Sequence, residues 1–514
     1  MQGSARMGIR AAALATVAGI ALAGPVLAQK PPVGAAPQQA LPTAKPPPLG
    51  APMQAQPAPA RPPMAQTAPP AAPAQPPMIQ PIPRPAPGAQ ATAPTRGDEP
   101  AAVTRLRGLL GAGAQIHWAD AEALDATGES ARLRGVMVLR DGKRLQADEV
   151  LITGLREDGV TEAVIRGFAT EEAGTRVRIA TLRIAGLTVP RDAAGGPPQP
   201  DQVRLDQLRV EGVEATGDVP VRMRVFSVEN WIAGQPARVN LEGLEIGGLD
   251  GGFVDAMRLA RFAMTGVDFG TTIAAIMAQR TPPSLVGRSS IEMDGLVFTG
   301  GGRPVGGMQE MRIAADIART DGSGSGTLAM RGIRVEPIPM VAEWLTRFGY
   351  QAVDADITGE SVYDAATGRL EMRDLTIAGR DVGSLSFSLN MEGVTTERLE
   401  ANDFSQLRLI SLGLRYADAS LFRRFVAMQA RETRTPEPQL REQFAQMVGG
   451  ALTEPGAAAL DPIRDAIQAF IRGQAQTVEI RVNPPQPFGM EQMQGAPPSP
   501  SEAQRLLGIT ATAR

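Results

Sequence analysis

A short phrase recurs along this chain: apolar, any, apolar, any, Gly, apolar, any, apolar. It is clearest at Val239–Ile246 (VNLEGLEI), Leu182–Val189 (LRIAGLTV), Ile291–Phe298 (IEMDGLVF) and Leu328–Val335 (LAMRGIRV). The same frame fits stretches starting at Ala131, Val150, Ala163, Leu208, Phe262, Leu370, Leu389 and Leu407. Its fifth position is Gly in ten of the twelve, with Asp374 and Ser411 the exceptions. Apolar residues two apart share one face of a β-strand. The first and third positions therefore agree, but the sixth and eighth fall on the opposite face. A β-bulge at the Gly restores the phase by one extra residue, and bends and twists the strand. Gly suits that place because it adopts φ > 0 without steric cost. The alternative is that each Gly ends one short strand and a turn begins the next.

Spacing between the phrases is uneven, which disfavours a β-helix or propeller of fixed period. Hairpins of different lengths side by side fit better. Tyr363–Arg369 (YDAATGR) reads as a turn between Val353–Val362 and Leu370–Ile377, with Asp141–Gly142 and Asp321–Gly322 as turns of the same kind. The expected fold class is β-rich α+β: a long, curved, mainly antiparallel sheet of bulged strands with a C-terminal helical region.

Before the phrases begin, Arg6 and Arg10 precede an apolar run, Ala11–Ala23, and then Pro25-Val26-Leu27-Ala28. Residues 1–28 read as a secretory signal peptide whose apolar run is too short for a comfortable span; an uncleaved anchor is the alternative. The expected location is the periplasm, with no transmembrane span in the mature chain. Residues 29–98 are dominated by Pro, Ala and Gln and cannot bury a core. They read as a disordered spacer. A β-repeat domain is expected over 99–415, and a helical region with one late strand over 416–514.

Helices are expected at Val103–Leu110, Gly270–Arg280 and Pro339–Tyr350, the last with Val341, Trp344, Leu345 and Phe348 on one face. After Leu414 the period changes. Ala417–Arg431 carries Leu421, Phe422, Phe425 and Met428 as a stripe, with Asp418 or Ser420 as N-cap. Pro438–Leu452, Ala457–Arg472 and a short helix from Ser501 to Leu507 follow. Thr477–Val482 (TVEIRV) reads as the final strand.

The residues for common catalytic chemistry are scarce. The chain has no Cys and one His, so thiol catalysis and multi-His or Cys zinc sites are excluded. His117 sits between Ile116 and Trp118, which suggests an edge or packing position, and no GxSxG elbow accompanies it. Asp354, Asp356 and Gly359 begin like a calcium loop, but Thr358 and Ala365 stand where ligands are needed. Asp120 and Asp125 form one of the carboxylate pairs any long chain contains. No cofactor and no enzyme activity is expected. A net charge of −3 gives no bulk attraction to nucleic acid.

Strands such as LRVEGVEATG, RLEMRDLTIAG and LSFSLNMEGV, the pairing of ITGESVYD with RLEMRDLTIAG, and the helical end resemble proteobacterial envelope proteins of the AsmA-like type. The resemblance covers about Ala131–Arg431. The cleavable-looking signal and the long Pro-rich spacer depart from that family. The resemblance implies an elongated sheet whose apolar groove handles lipid chains. The candidate groove residues are Leu241, Leu244, Ile246, Ile291, Met293 and Leu296. The expected partners are lipid or envelope proteins. Against the groove stands an ordinary packed core, and against lipid binding stands an interaction module that holds protein or peptidoglycan from the spacer.

Overall fold

The computed structural model describes residues 99–514 except 111–113, 141–142, 173, 191–198, 250–251, 281, 283–284, 396–397, 399–402, 404 and 490–497. The signal peptide (1–28), the spacer (29–98) and the Asp141–Gly142 turn lie outside the described residues.

Helix α1 (Ala101–Leu110) comes first, followed by β1 (Gln115–His117), β2 (Asp120–Ala123), β3 (Ala131–Arg140) and β4 (Lys143–Leu155). Next are β5 (Gly159–Glu172), β6 (Thr175–Thr188), β7 (Leu205–Thr216), β8 (Val221–Trp231), β9 (Ala237–Ile246) and β10 (Ala256–Val267). Helix α2 (Phe269–Met277) leads to β11 (Gly287–Gly300), β12 (Arg303–Ile317) and β13 (Gly324–Val335). Helix α3 (Pro339–Phe348) precedes β14 (Val353–Asp364), β15 (Arg369–Gly379), β16 (Gly383–Glu392) and β17 (Arg408–Asp418). The helices α4 (Leu421–Thr433), α5 (Glu437–Ala451) and α6 (Asp461–Arg472) are consecutive. Then come β18 (Thr477–Val482), β19 (Phe488–Gly489), α7 (Pro500–Leu507) and β20 (Ile509–Ala513).

All twenty strands form one antiparallel sheet. From β3 to β18 each strand pairs with its neighbour in sequence, as hairpins of unequal length require. Two expectations are corrected at the C-terminal end. Thr477–Val482 is not the last strand, because β19 adds to β17 and β20 adds to β18. Ala417 and Asp418 belong to β17 rather than to a helix, so the sheet runs through the expected boundary at 415. Asp418 still helps start α4, since its Oδ1 accepts the Phe422 N–H at 2.8 Å.

The phrase glycines lie within strands and not in turns, apart from Gly393 just past β16. In β4, Leu145, Ala147, Val150, Ile152 and Leu155 point inward, while Asp148–Glu149 and Thr153–Gly154 are pairs turned away. The phase is thus restored twice in one strand. True bulges with an extra residue occur at Gly266, Gly332 and Asp374. In the first part of the sheet the register does not shift at all. Gly135 faces Asp148, which in turn faces Gly167, with the flanking pairs Arg134–Glu149 and Glu149–Arg166 in place. Both strands of a pair turn at the same level, so neither gains a residue.

These levels line up into two creases across the sheet. One is carried by the odd-numbered strands at Gly135, Gly167, Gly212, Gly243, Gly295 and Gly332, all with φ between 59° and 65°. The other is carried by even-numbered strands at Gly154, Gly186, Asn230 and Gly266. Between each left-handed residue and the next stands a strand with ordinary backbone. At Gly167 the reason for Gly is direct: an added Cβ would lie 1.9 Å from Asp148 Oδ2.

The creases keep one face apolar over the whole sheet. A central cross-strand row runs Leu133, Val150, Ile165, Leu182, Val210, Phe226, Leu241, Phe262. It continues Met293, Met311, Met330, Ile357, Ile377, Leu385, Tyr416, Val478. At about 4.8 Å per strand this row is roughly 70 Å long. The opposite face is charged and alternates in sign, as in the register Arg178, Glu214, Arg222, Glu245, Arg258. Such facing pairs each contribute about 0.2–1 kcal/mol.

Helices cover the two ends of the apolar face. Ala102 and Val103 of α1 join Leu133, Val150 and Ile152 in a buried cluster. At the other end Leu460 and Ile463 pack on Ala511, with Ile480 and Ile509 beside them. The α5 and α6 helices are joined by Arg472, which donates to Glu442 at 2.9 and 3.0 Å and holds that carboxyl below its usual range. Among the described residues no helix is long and apolar enough to cross a membrane.

Candidate functional site: the open apolar row and its aromatic cleft

Along the central row, burial changes sharply with position. Phe262 is 2% exposed and its strand neighbour Met264 is 0% exposed, with Leu241 and Val239 buried beside them. From Met293 onward the row is only partly covered, and at Ile377 and Leu385 it is 47% and 39% exposed. Three methionines (Met293, Met311, Met330) stand in direct cross-strand register at the start of this stretch. Met is unbranched and polarizable and suits surfaces that adapt to varied apolar partners.

The six predicted groove residues lie on β9 and β11, the two strands flanking β10, and the register brings them together through it. Leu241 and Met293 flank Phe262, Leu244 and Leu296 flank Leu259, and Ile291 faces Met264. Ile246 faces Met257. Leu241 is buried and the other five are partly exposed. The set therefore straddles the point where the buried stretch of the row, Phe226, Leu241 and Phe262, gives way to the open part.

At its far end the open row reaches a feature not assembled from the sequence. Leu385 pairs with Tyr416, and Tyr416 lines an open cleft of about 380 Å³ with Trp344, Phe348, Leu421, Phe422 and Phe425. Aromatic residues are 4% of the chain, yet eight gather here: Trp344, Phe348, Tyr350, Tyr416, Phe422, Phe425, Phe444 and Phe470. Phe470 of α6 meets Tyr416 edge-on at 5.7 Å and Phe422 at 5.1 Å, which closes the cleft on that side. Trp344 stays 40% exposed at the mouth. Burial, aided by the Asp418 carboxylate that its hydroxyl donates to at 2.6 Å, pushes the Tyr416 phenol up, so it stays protonated.

The local sequence explains how α3 reaches this place. Pro339 opens the helix at a position that needs no N–H, and Gly349 closes it with φ 70°. Arg424 of α4 then donates to the Phe348 carbonyl at 3.0 Å and to the Gly349 carbonyl. Its guanidinium also lies 4.1 Å from the Tyr350 ring centroid, and Nε donates to Ser420 Oγ at 3.1 Å. One side chain thus fixes the C-terminus of α3 against α4. Arg424→Ala is expected to cost about 1–3 kcal/mol and to shift Trp344 emission to the red, while Arg424→Lys recovers part of the loss. Unchanged melting and emission in the alanine variant would refute this role.

The residues considered for chemistry are occupied elsewhere. His117 sits on β1 opposite Met137. Asp120 pairs with Arg134 at 2.9 Å. Asp125 accepts from Thr127 and the Glu129 N–H, and its carboxyl is held below the usual range, foremost by a hydrogen bond from Ser130. Asp354 faces Arg380 at 3.4 Å, and Asp356 accepts the Gly332 N–H at 2.7 Å. Among the described residues no group of His, Asp or Glu is placed to hold a metal ion.

Residues 376–514 match the model of a family described as "Uncharacterized protein". The matched segment begins within β15 and contains Leu385, Tyr416 and helices α4–α7. No curated protein matches the chain.

Proposed function

We propose that the protein is a non-enzymatic, periplasmic envelope protein of AsmA-like type that binds the acyl chains of lipid on the open part of its apolar sheet face. The observation that carries this reading is the row from Met293 to Leu385, which is half-buried from Met293 to Ile357, exposed at Ile377 and Leu385, and ends in an aromatic cleft. Exposed apolar side chains in one contiguous run favour a ligand that removes them from water. The outward face, with its alternating charges, offers no comparable surface.

The test is mass spectrometry of lipids retained by the full chain after export and gentle purification. The expected result is bound acyl lipid at close to molar amounts. Leu385→Asp places a carboxylate in the path of the chain and is expected to lower occupancy tenfold or more. Ser384→Asp, next along β16 on the opposite face, leaves occupancy unchanged. A lipid-free wild-type protein, or full occupancy in Leu385→Asp, rejects lipid binding and favours the interaction-module reading.

A further inference from the structure

The open row has a stop at each end, and the two stops differ in character. On one side Phe262 and Met264 are fully packed, with Phe226, Val228, Val239 and Leu241 filling the face behind them. That end is apolar and leaves no room for a ligand to pass. On the other side Phe470 packs on Tyr416, and α6 covers the face over β18 and β20. Beside this second stop the face is open to water, with Ile377 47%, Leu385 39% and Trp344 40% exposed.

Between the stops the row crosses six strands, from Met293 to Leu385. Five inter-strand steps of about 4.8 Å give roughly 24 Å. One leaflet of a bilayer, the depth of one acyl chain, is about 15 Å. The row therefore accommodates one chain length and not two in series.

We infer that the sheet face holds one lipid at a time, its chain lying across the strands with the tail end toward Phe262 and the head group in water at the open Leu385–Trp344 end. This makes the described sheet a carrier with a blind end, in contrast to a conduit along all sixteen strands of the central row. It rests on the lipid-binding reading above. The orientation follows from solvation: a methyl terminus gains most at the dry end, while a head group keeps its water only at the open one.

The experiment uses stearic acid carrying a nitroxide at carbon 5 or at carbon 16, added to the full chain. Line broadening of the nitroxide signal reports binding, and quenching of Trp344 reports position, with Trp344→Phe supplying the background from Trp118 and Trp231. The expected result is one bound fatty acid per protein and at least twofold stronger quenching by the carbon-5 label. Equal or stronger quenching by the carbon-16 label, or several fatty acids bound per protein, overturns the orientation and the blind end while leaving lipid binding intact. No broadening with either label overturns both.

Discussion

Replacing Phe262 by alanine is expected to lower stability by about 3–5 kcal/mol, the range for removing a buried aromatic ring. Phe262 is the largest of the fully buried side chains, and its cross-strand neighbours are Leu241 and Met293. Its loss leaves a cavity that collapse cannot readily fill, because β9, β10 and β11 are held at their spacing by ladder hydrogen bonds on both sides. Phe262→Leu keeps most of the volume and is expected to cost much less. Urea unfolding followed by far-UV circular dichroism measures both. An alanine variant within 1 kcal/mol of the wild type would show that the ring is not a packed stop.

The second large effect is expected at Gly266, a left-handed residue whose missing side chain faces backbone at close range on the neighbouring strand. Its φ is 78°, and an added Cβ would lie 2.1 Å from the Arg288 carbonyl oxygen and 2.7 Å from Ser289 Cα. Backbone cannot swing aside as a side chain can, and the adjacent Thr265–Ser290 pair fixes the two strands together. Gly266→Ala combines a left-handed penalty of about 1–2 kcal/mol with about 1–3 kcal/mol of overpacking, so about 2–5 kcal/mol is expected. Gly174→Ala separates the two causes. Its φ is 83° with nothing within 4 Å of the added Cβ, so only the first cost applies. Denaturant midpoints of the two variants give the difference, and equal losses would rule out the close approach at Gly266.

The strands were legible because their defining signal is local. Each phrase carries its own alternation and its own marker, and Val239–Ile246 and Ile291–Phe298 fall within or close to their strands. The same filter hid one unit. Phe226–Ala233 (FSVENWIA) fits the frame with Asn230 in fifth place, and Asn230 has φ 60°. Asn is among the few residues that tolerate that conformation, so the unit lacks the Gly that marks most of the others. The assignment of one crease to odd strands and the other to even strands could not be read from the chain. It depends on which residue faces which across each pair.

The aromatic cleft was half visible. The stripes Trp344–Phe348 and Phe422–Phe425 were each apparent as helix faces, but nothing in their periodicity says that they meet. Arg424 decides that, through carbonyls some seventy-five residues away in sequence. The groove residues show the same limit. Leu241 and Leu244 look alike in the phrase, yet one is buried and the other partly exposed.

The sequence by itself determined the strand units, the apolar face, the charged face and the helical end. All of these follow from residue spacing and backbone preference within about ten positions. Only the tertiary structure decided where that face is closed, where it opens, and what stands at the opening. Exposure is set by what packs against a residue, and those partners are brought in by register and by helices from distant parts of the chain.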